Sequence, residues 1–519
     1  MERESNQPMS HQHLAITGAL AREAMEHTRH QPEQTLLYQI IEEHYPEFLS
    51  HLSELDKTLP QYVQTEFEEY LKCGRLEYGF LRVQCDSCHK EQLVAFSCKR
   101  RGFCPSCGAS RMVESAAMLV DSILPQQPIR QWVLSLPFPL RWLFASEPRV
   151  LSRALEVVTR AISTYLVKKA GFTNTTAKTG AVTLIQRFGS ALNLNIHFHM
   201  LFLDGVYELD SDGATAKFHA IETPTSVEMN SLLHRISDRI ARLLEREGYL
   251  ERDSQEGSLL LDGFDDDVIN ELQGSSITYR IAVGSQRGKK VFTLKTLPAQ
   301  DEEADEINGQ TLAKGGGFSL HAGVSAKSHQ RDKVERLCRY IARPAVSTHR
   351  LERLPDGKLS YELKTPYKNG TTHVVFEPLD FIARLAALVP KPRFHLTRFH
   401  GVFAPNSKHR AAVTGDGKDK QPPSTETTEQ ASDCEDRRGK MSWAMRLKRV
   451  FNIDVTVCRH CQGAMRIIAC IEDRQVINKI LVHINRKQEP LVSVMACTGI
   501  RAPPTDYKVL MTHKNERNG

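Results

Sequence analysis

Two Cys-x2-Cys pairs, Cys85/Cys88 and Cys104/Cys107, stand fifteen residues apart in a stretch rich in lysine and arginine, and no other feature of the chain constrains its fold as closely. Each pair turns two sulfurs toward one point. The spacing is that of a four-thiolate zinc ribbon, in which a tetrahedral ion closes the intervening loop and supplies much of the folding free energy. Cys73 and Cys98 are spare candidate ligands, and Cys458-x2-Cys461 is half a site of its own, far downstream. Four buried free thiols would be the bland alternative, but neighbours as polar as Asp86, Ser87, His89 and Ser106 fit it poorly. The N-terminus, MERESNQPMSHQHLAITGAL, lacks the continuous apolar core of a secretory signal. A reducing, cytoplasmic location is therefore expected, and with it metal ligation rather than disulfides. No membrane span is expected either, because the most apolar stretch, WVLSLPFPLRWLFA, is broken by Pro137, Pro139 and Arg141.

A chain of 519 residues has room for about three or four folding units. Residues 1–70 show helical periodicity, with LLYQIIEEHYPEFLSHL followed by TEFEEYLKCG closing on a glycine. Residues 71–115 form the zinc-binding region. Residues 120–410 mix β-branched runs (GAVTLIQRF, ITYRIAV, VFTLK, THVVF) with helical patterns, which reads as an α+β domain with an insertion near 205–325. Its longest interior helix should start at the capping box Thr225-x-x-Glu228 and run through Leu232, Ile236, Ile240 and Leu243 to Gly248. Residues 411–440 have almost nothing that could enter a core and read as a disordered linker, leaving 441–519 as a separate C-terminal Cys-x2-Cys module. The net charge of +6 is too small to identify a nucleic-acid partner. Cations do gather locally: Lys99, Arg100, Arg101 and Arg111 surround the second cysteine pair, where they either face phosphate or form a solvated rim.

The stretch ALNLNIHFHMLFLDG places His197 and His199 on either side of Phe198. On a strand both imidazoles share one face while Phe198 enters the core, a geometry suited to two ligands of one divalent ion or to two surface histidines. The upstream TLIQRFGSALNLN is a candidate hairpin partner. With a late turn Gln186 lies beside His197 and can add a carbonyl oxygen; with a tight turn at Gly189 it lies opposite Asn193 instead. Downstream, DKVERLCRYIARP carries a buried stripe of Val334, Leu337, Cys338 and Ile341. Tyr340 shares its own face with Lys333, Arg336 and Arg343. Tyr340 is either an amphipathic residue covering a helix edge or a nucleophile, and a phenol becomes a competent nucleophile only where cations and a metal-bound phosphate lower the barrier. A magnesium or manganese ion on the histidines and a tyrosine among cations together point to in-line attack on a phosphodiester, with a 5′-phosphotyrosine and a free 3′-hydroxyl as products.

The blocks QRFGSALNLNIHFHMLFLDGVY, RYIARPAVSTHRL and FSCKRRGFCPSCGASR, with FHGVFAPNSKHR and VCRHCQGAMRIIACI, resemble the HUH rolling-circle transposases of the insertion-sequence-ninety-one family over nearly the whole chain. The resemblance implies a zinc-binding N-terminal domain followed by an HUH nuclease core built on a central antiparallel sheet with flanking helices. Its substrates would be single-stranded DNA at element ends and a target DNA, with host replication proteins as further partners; the oligomeric state stays open. Residue by residue it makes His197 and His199 the metal ligands and Tyr340 the nucleophile. The founding pattern has a second tyrosine four residues earlier, where this chain has Arg336; a single tyrosine resembles the common-region (ISCR) branch. A plasmid rolling-circle initiator or relaxase would share this chemistry, and a zinc-dependent DNA-binding regulator without catalysis is the reading from another class.

Overall fold

The computed structural model describes residues 31–209, 216–252, 257–259, 267–297, 311–414, 457–458 and 460–487. The linker expected at 411–440 lies outside the described residues beyond residue 414. Six antiparallel strands form the central sheet in the order Leu312–Gly315, Phe318–Ala326, Ile129–Ser135, Leu194–Leu203, Gly180–Phe188 and Thr397–Gly401. The strand Leu194–Leu203 sits inside this sheet, and its alternation explains why both faces are covered. Ile196, Phe198, Met200 and Phe202 pack beneath the helices Pro148–Lys169 and Ser226–Arg246, while Leu201 and Leu203 join Val334, Cys338 and Ile341 of the helix Arg331–Ile341 on the opposite face. The helix Ser226–Arg246 begins at the expected capping box, Thr225 accepting from the Glu228 amide while the Glu228 carboxylate accepts from the Thr225 amide. The strands Leu312–Gly315 and Phe318–Ala326, expected within or beside the insertion, are instead the sheet's outer pair on that side.

One ion pair is buried beside this sheet. Arg130 donates to both Asp204 carboxylate oxygens, at 2.8 and 2.6 Å, and to the Ala322 carbonyl at 2.9 Å, so three chain segments meet at one guanidinium. The pair need not stabilise more than apolar packing would, but removing one partner strands the other charge without water. Asp204→Ala should therefore cost roughly 3–5 kcal/mol. The check is the denaturant midpoint followed by tryptophan fluorescence, because Trp132 lies fully buried in the same strand as Arg130. An unshifted midpoint would contradict this view of the pair.

The N-terminal helices Leu36–Glu54 and Gln61–Lys72 form as their periodicity predicts, and Gly74 follows the second in the left-handed region at φ +81°. They are not an independent layer. Leu37, Phe48 and Phe67 share one apolar core with the helices Val268–Ile277 and Pro378–Leu388. A four-stranded antiparallel sheet, in the order Phe292–Lys295, Thr371–Phe376, Leu359–Glu362 and Leu351–Arg353, contributes to the same core. The run ITYRIAV does not become a strand. Ile277 ends a helix, Arg280 makes an isolated bridge to Lys290, and Ile281, Ala282 and Val283 are buried in this second core without a ladder. The tail also departs from expectation: Met465–Ile471 pairs antiparallel with Phe80–Cys85, which pairs with Glu91–Ala95, so residues 465–471 complete a sheet of the N-terminal cysteine region. Among the described residues no helix is long and apolar enough to cross a membrane.

Candidate active site

His197 and His199 project from the inner strand Leu194–Leu203 onto one face, with ring centroids 4.8 Å apart. Both are buried, at 9% and 6% exposure, and burial depresses both imidazoles, His197 to about 4 and His199 well below its usual value. At neutral pH each ring is therefore uncharged and keeps one lone pair. The His197 Nδ1 donates to the Asn195 carbonyl at 2.8 Å, which fixes that tautomer and leaves Nε2 as the acceptor. His199 Nδ1 lies 2.7 Å from the Gln131 side-chain amide on the neighbouring strand. If His199 is to ligate through Nε2, Gln131 must present its oxygen to Nδ1–H; a half-turn of the amide accomplishes this.

Of the two hairpin registers open to the sequence, the chain adopts the later turn. Gln186 pairs with His197, and the loop closes by a bond from the Gly189 amide to the Asn193 carbonyl. Gln186 donates its amide to the Ile341 carbonyl at 3.1 Å, tying the sheet to the end of the tyrosine helix and leaving its own side-chain oxygen over. Asn195 lies on the same face as the histidines, and its side-chain oxygen is buried with no hydrogen-bond partner among the described residues. Two neutral imidazoles with amide oxygens nearby fit a divalent cation better than they fit a closed apolar core.

Tyr340 faces this pair from the last turn of Arg331–Ile341, its ring perpendicular to His199 with centroids 6.5 Å apart. Burial raises the phenol, but Arg343 and Lys364 more than offset it, and the hydroxyl ends below its usual pKa. The Arg343 guanidinium sits 4.5 Å from the ring centroid and the Lys364 ammonium 3.9 Å. Arg343 was expected here. Lys364 was not, since it comes from a bend beyond the strand Leu359–Glu362 and no local periodicity connects it to the tyrosine. Lys333 and Arg336 lie about two turns and one turn back along the helix, the first half-buried and the second exposed.

The cysteines regroup. Cys85, Cys88, Cys104 and Cys107 do not converge on one point. Cys104 and Cys107 join Cys73 and Cys98, with sulfur separations of 3.7 Å (Cys73–Cys107), 3.4 Å (Cys98–Cys107) and 3.7 Å (Cys73–Cys104), while Cys85 and Cys88 meet Cys458 and Cys461. Cys73 caps one helix, Cys104 precedes the helix Pro105–Met118 and Cys107 lies in that helix's first turn, where the neighbouring thiols pull Cys107 toward thiolate. That helix also reaches the face that carries Tyr340. A side chain at Gly108 would meet Pro344 Cβ at 2.6 Å, so the residue after Cys107 is small enough for the helix to rest against the segment that follows Tyr340. The expected basic rim is partly spent internally: Arg101 donates to the Phe394 carbonyl and Arg111 to the Lys99 and Arg100 carbonyls.

Two family models match the chain. One described as "Transposase zinc-binding domain", of the insertion-sequence-ninety-one type, covers residues 40–136, and one described as "Putative transposase" covers residues 180–411. The chain belongs to the insertion-sequence-ninety-one family of transposases. No curated protein and no solved structure gives a match. The zinc-binding domain of the transposase contains the whole cluster Cys73/Cys98/Cys104/Cys107, whereas Cys458 and Cys461 lie outside both matched regions. The transposase match contains His197, His199, Gln186, Tyr340 and Lys364 together.

Proposed function

We propose that this transposase nicks and rejoins single-stranded DNA at the ends of its element through a 5′-phosphotyrosine on Tyr340, the covalent step of a rolling-circle route, on an HUH nuclease core. The observation that supports this reading is the perpendicular approach of Tyr340 to the neutral His197/His199 pair across one face of the sheet. His197, His199 and Gln186 would hold a magnesium or manganese ion, with the Asn195 oxygen nearby. Such an ion, when bound, polarises a phosphoryl oxygen and orients the scissile phosphate.

The chain's own groups account for the rest. The Tyr340 oxygen attacks phosphorus and the bond from phosphorus to the 3′-oxygen breaks; the phenolic proton passes to solvent, and the departing 3′-oxygen takes a proton from solvent to leave as the free 3′-hydroxyl. Arg343 and Lys364 favour the phenolate before attack and neutralise charge on the phosphoryl oxygens during it. Because the phosphotyrosine conserves the ester, a 3′-hydroxyl can reverse the step without a nucleotide cofactor. With Arg336 in place of a second tyrosine, that 3′-hydroxyl or a second protomer carries the return transfer, as expected of the common-region branch.

The test uses labelled oligonucleotides bearing the element's end. A single strand should be cleaved with magnesium or manganese and not after chelation, and the corresponding duplex should resist. Cleavage that is insensitive to chelation, or equal on duplex, would overturn the reading.

A further inference from the structure

We propose that Cys85, Cys88, Cys458 and Cys461 form a second zinc site, a ribbon split across the chain, whose metal staples the C-terminal strand and helix to the N-terminal domain. The four sulfurs lie within 4.8 Å of one another, with Cys85–Cys461 at 3.3 Å and Cys88–Cys458 at 3.5 Å. Sulfurs bound tetrahedrally at about 2.3 Å from zinc sit about 3.8 Å apart, whereas a disulfide brings them to about 2.05 Å. The observed separations suit the first arrangement.

The two Cys-x2-Cys turns match position by position although they come from opposite ends of the protein. The Cys85 amide donates to the Lys90 carbonyl and the Cys458 amide to the Gly463 carbonyl, five residues on in each case. The His89 amide returns to the Cys85 carbonyl and the Gln462 amide to the Cys458 carbonyl. His89 and Gln462, each directly after the second cysteine, both occupy the left-handed region, at φ +56° and +60°. Non-glycine residues rarely adopt that conformation, so two independent turns paying the same strain points to a shared purpose. In both turns the first sulfur accepts backbone amides: Ser87 and Cys88 donate to Cys85, and His460 and Cys461 donate to Cys458. Such amides favour the thiolate that a cation requires.

The surroundings join the halves as closely as the sulfurs do. The Asp86 amide donates to the Ala464 carbonyl at 2.9 Å, and Arg466 pairs with Asp86 at 2.9 Å. A side chain at Gly463 would collide with Ser87 and come within 3.0 Å of the Cys85 sulfur, so glycine is what lets the second turn seat against the first. From there Met465–Ile471 runs antiparallel along Phe80–Cys85, and Ile477 of the helix Arg474–Lys487 is buried against Leu76 and Phe80. That apolar contact is small. Among the described residues the contact centres on Ile477, Leu76 and Phe80 with half-buried Ile471, Ile480 and Leu481 beside them, and a metal cross-link between distant parts of the chain adds to what this limited burial contributes.

The inference is independent of the nuclease reading and is tested on the full chain. Purified protein should carry two zinc ions per chain by elemental analysis. Cys458→Ser/Cys461→Ser should carry one, held by Cys73, Cys98, Cys104 and Cys107, while Cys470→Ser, which removes an exposed cysteine outside both clusters, should retain two. A second measurement guards against a folding defect in the double variant. A protease site inserted between residues 427 and 428 of otherwise unaltered protein allows the tail to be cut free; the pieces should co-elute with zinc bound and separate when the same cut is made in Cys458→Ser/Cys461→Ser. One zinc in the unaltered protein, two in the double variant, or a cut tail that behaves the same with and without the cysteines would each overturn the proposal.

Discussion

Tyr340→Phe should remove covalent attachment to single-stranded DNA, with strand transfer falling by more than about 1,000-fold, while the fold is kept. The substitution deletes one oxygen. The ring stays perpendicular to His199, and Arg343 and Lys364 still lie over an aromatic face, so the helix Arg331–Ile341 retains its packing. Among the described residues neither of the two nearest alternatives replaces the lost hydroxyl: one turn earlier the helix offers Arg336, and Tyr361 is fully buried with its hydroxyl engaged by the Ser347 amide and Arg350. Denaturing gels of labelled oligonucleotide, read beside a melting curve, separate loss of the nucleophile from loss of structure. A protein-linked band of undiminished intensity in the variant would sink the proposed mechanism.

His197→Ala should abolish cleavage, by at least on the order of 100-fold, and leave single-strand binding within about threefold of the parent. The two readouts divide because they depend on different atoms. On the proposed mechanism cleavage requires donors converging on one ion, and removing an inner-strand imidazole would leave His199 and amide oxygens that hold a divalent cation poorly. Binding depends mainly on cations meeting phosphates along the strand, and His197 is neutral at pH 7 because burial holds it near 4. Fluorescence anisotropy with a labelled strand and a parallel cleavage assay give both numbers. Full cleavage by the variant would remove the histidines from the chemistry; equal loss of binding would make His197 a structural residue of the sheet.

The parts of the site that were legible in the sequence are those in which a local period carries the information. Alternation along LNIHFHMLFL is enough to put His197 and His199 on one face and Phe198 on the other, whereas Arg343, expected on the helix face of Tyr340, reaches that ring from just beyond the helix end at Ile341. A capping box is equally local, and the helix at Thr225 starts where it requires. What the sequence hid is set by contacts between segments far apart. Lys364 reaches Tyr340 from the bend after the strand Leu359–Glu362, and Gln131 reaches His199 from a neighbouring strand. The hairpin register depended on the loop from Gly189 to Asn193, where Leu192 takes a left-handed conformation that no propensity would have assigned it.

The cysteines illustrate the same limit. Spacing correctly marks pairs, since a Cys-x2-Cys turn is local, but it cannot say which pairs meet. Proximity in sequence favoured Cys85/Cys88 with Cys104/Cys107. The fold instead sends Cys104 and Cys107, on a helix, to Cys73 and Cys98, and uses the ladder between Phe80–Cys85 and Met465–Ile471 to bring Cys458 and Cys461 to Cys85 and Cys88. The N-terminal helices were likewise recognisable as helices but not as half of a core completed by residues beyond 268. ITYRIAV had the composition of a strand and lost that role because Ile277 was already committed to a helix.

The central claim is that Tyr340 carries the DNA. Its most direct test is to trap the unaltered protein on an end-bearing single strand with magnesium or manganese, digest both components, and locate the nucleotide adduct by mass spectrometry. The account predicts a phosphodiester-linked nucleotide on the peptide containing Tyr340, joined through its 5′-phosphate. An adduct on any other residue, or cleavage to completion with no adduct at any stage, would contradict it.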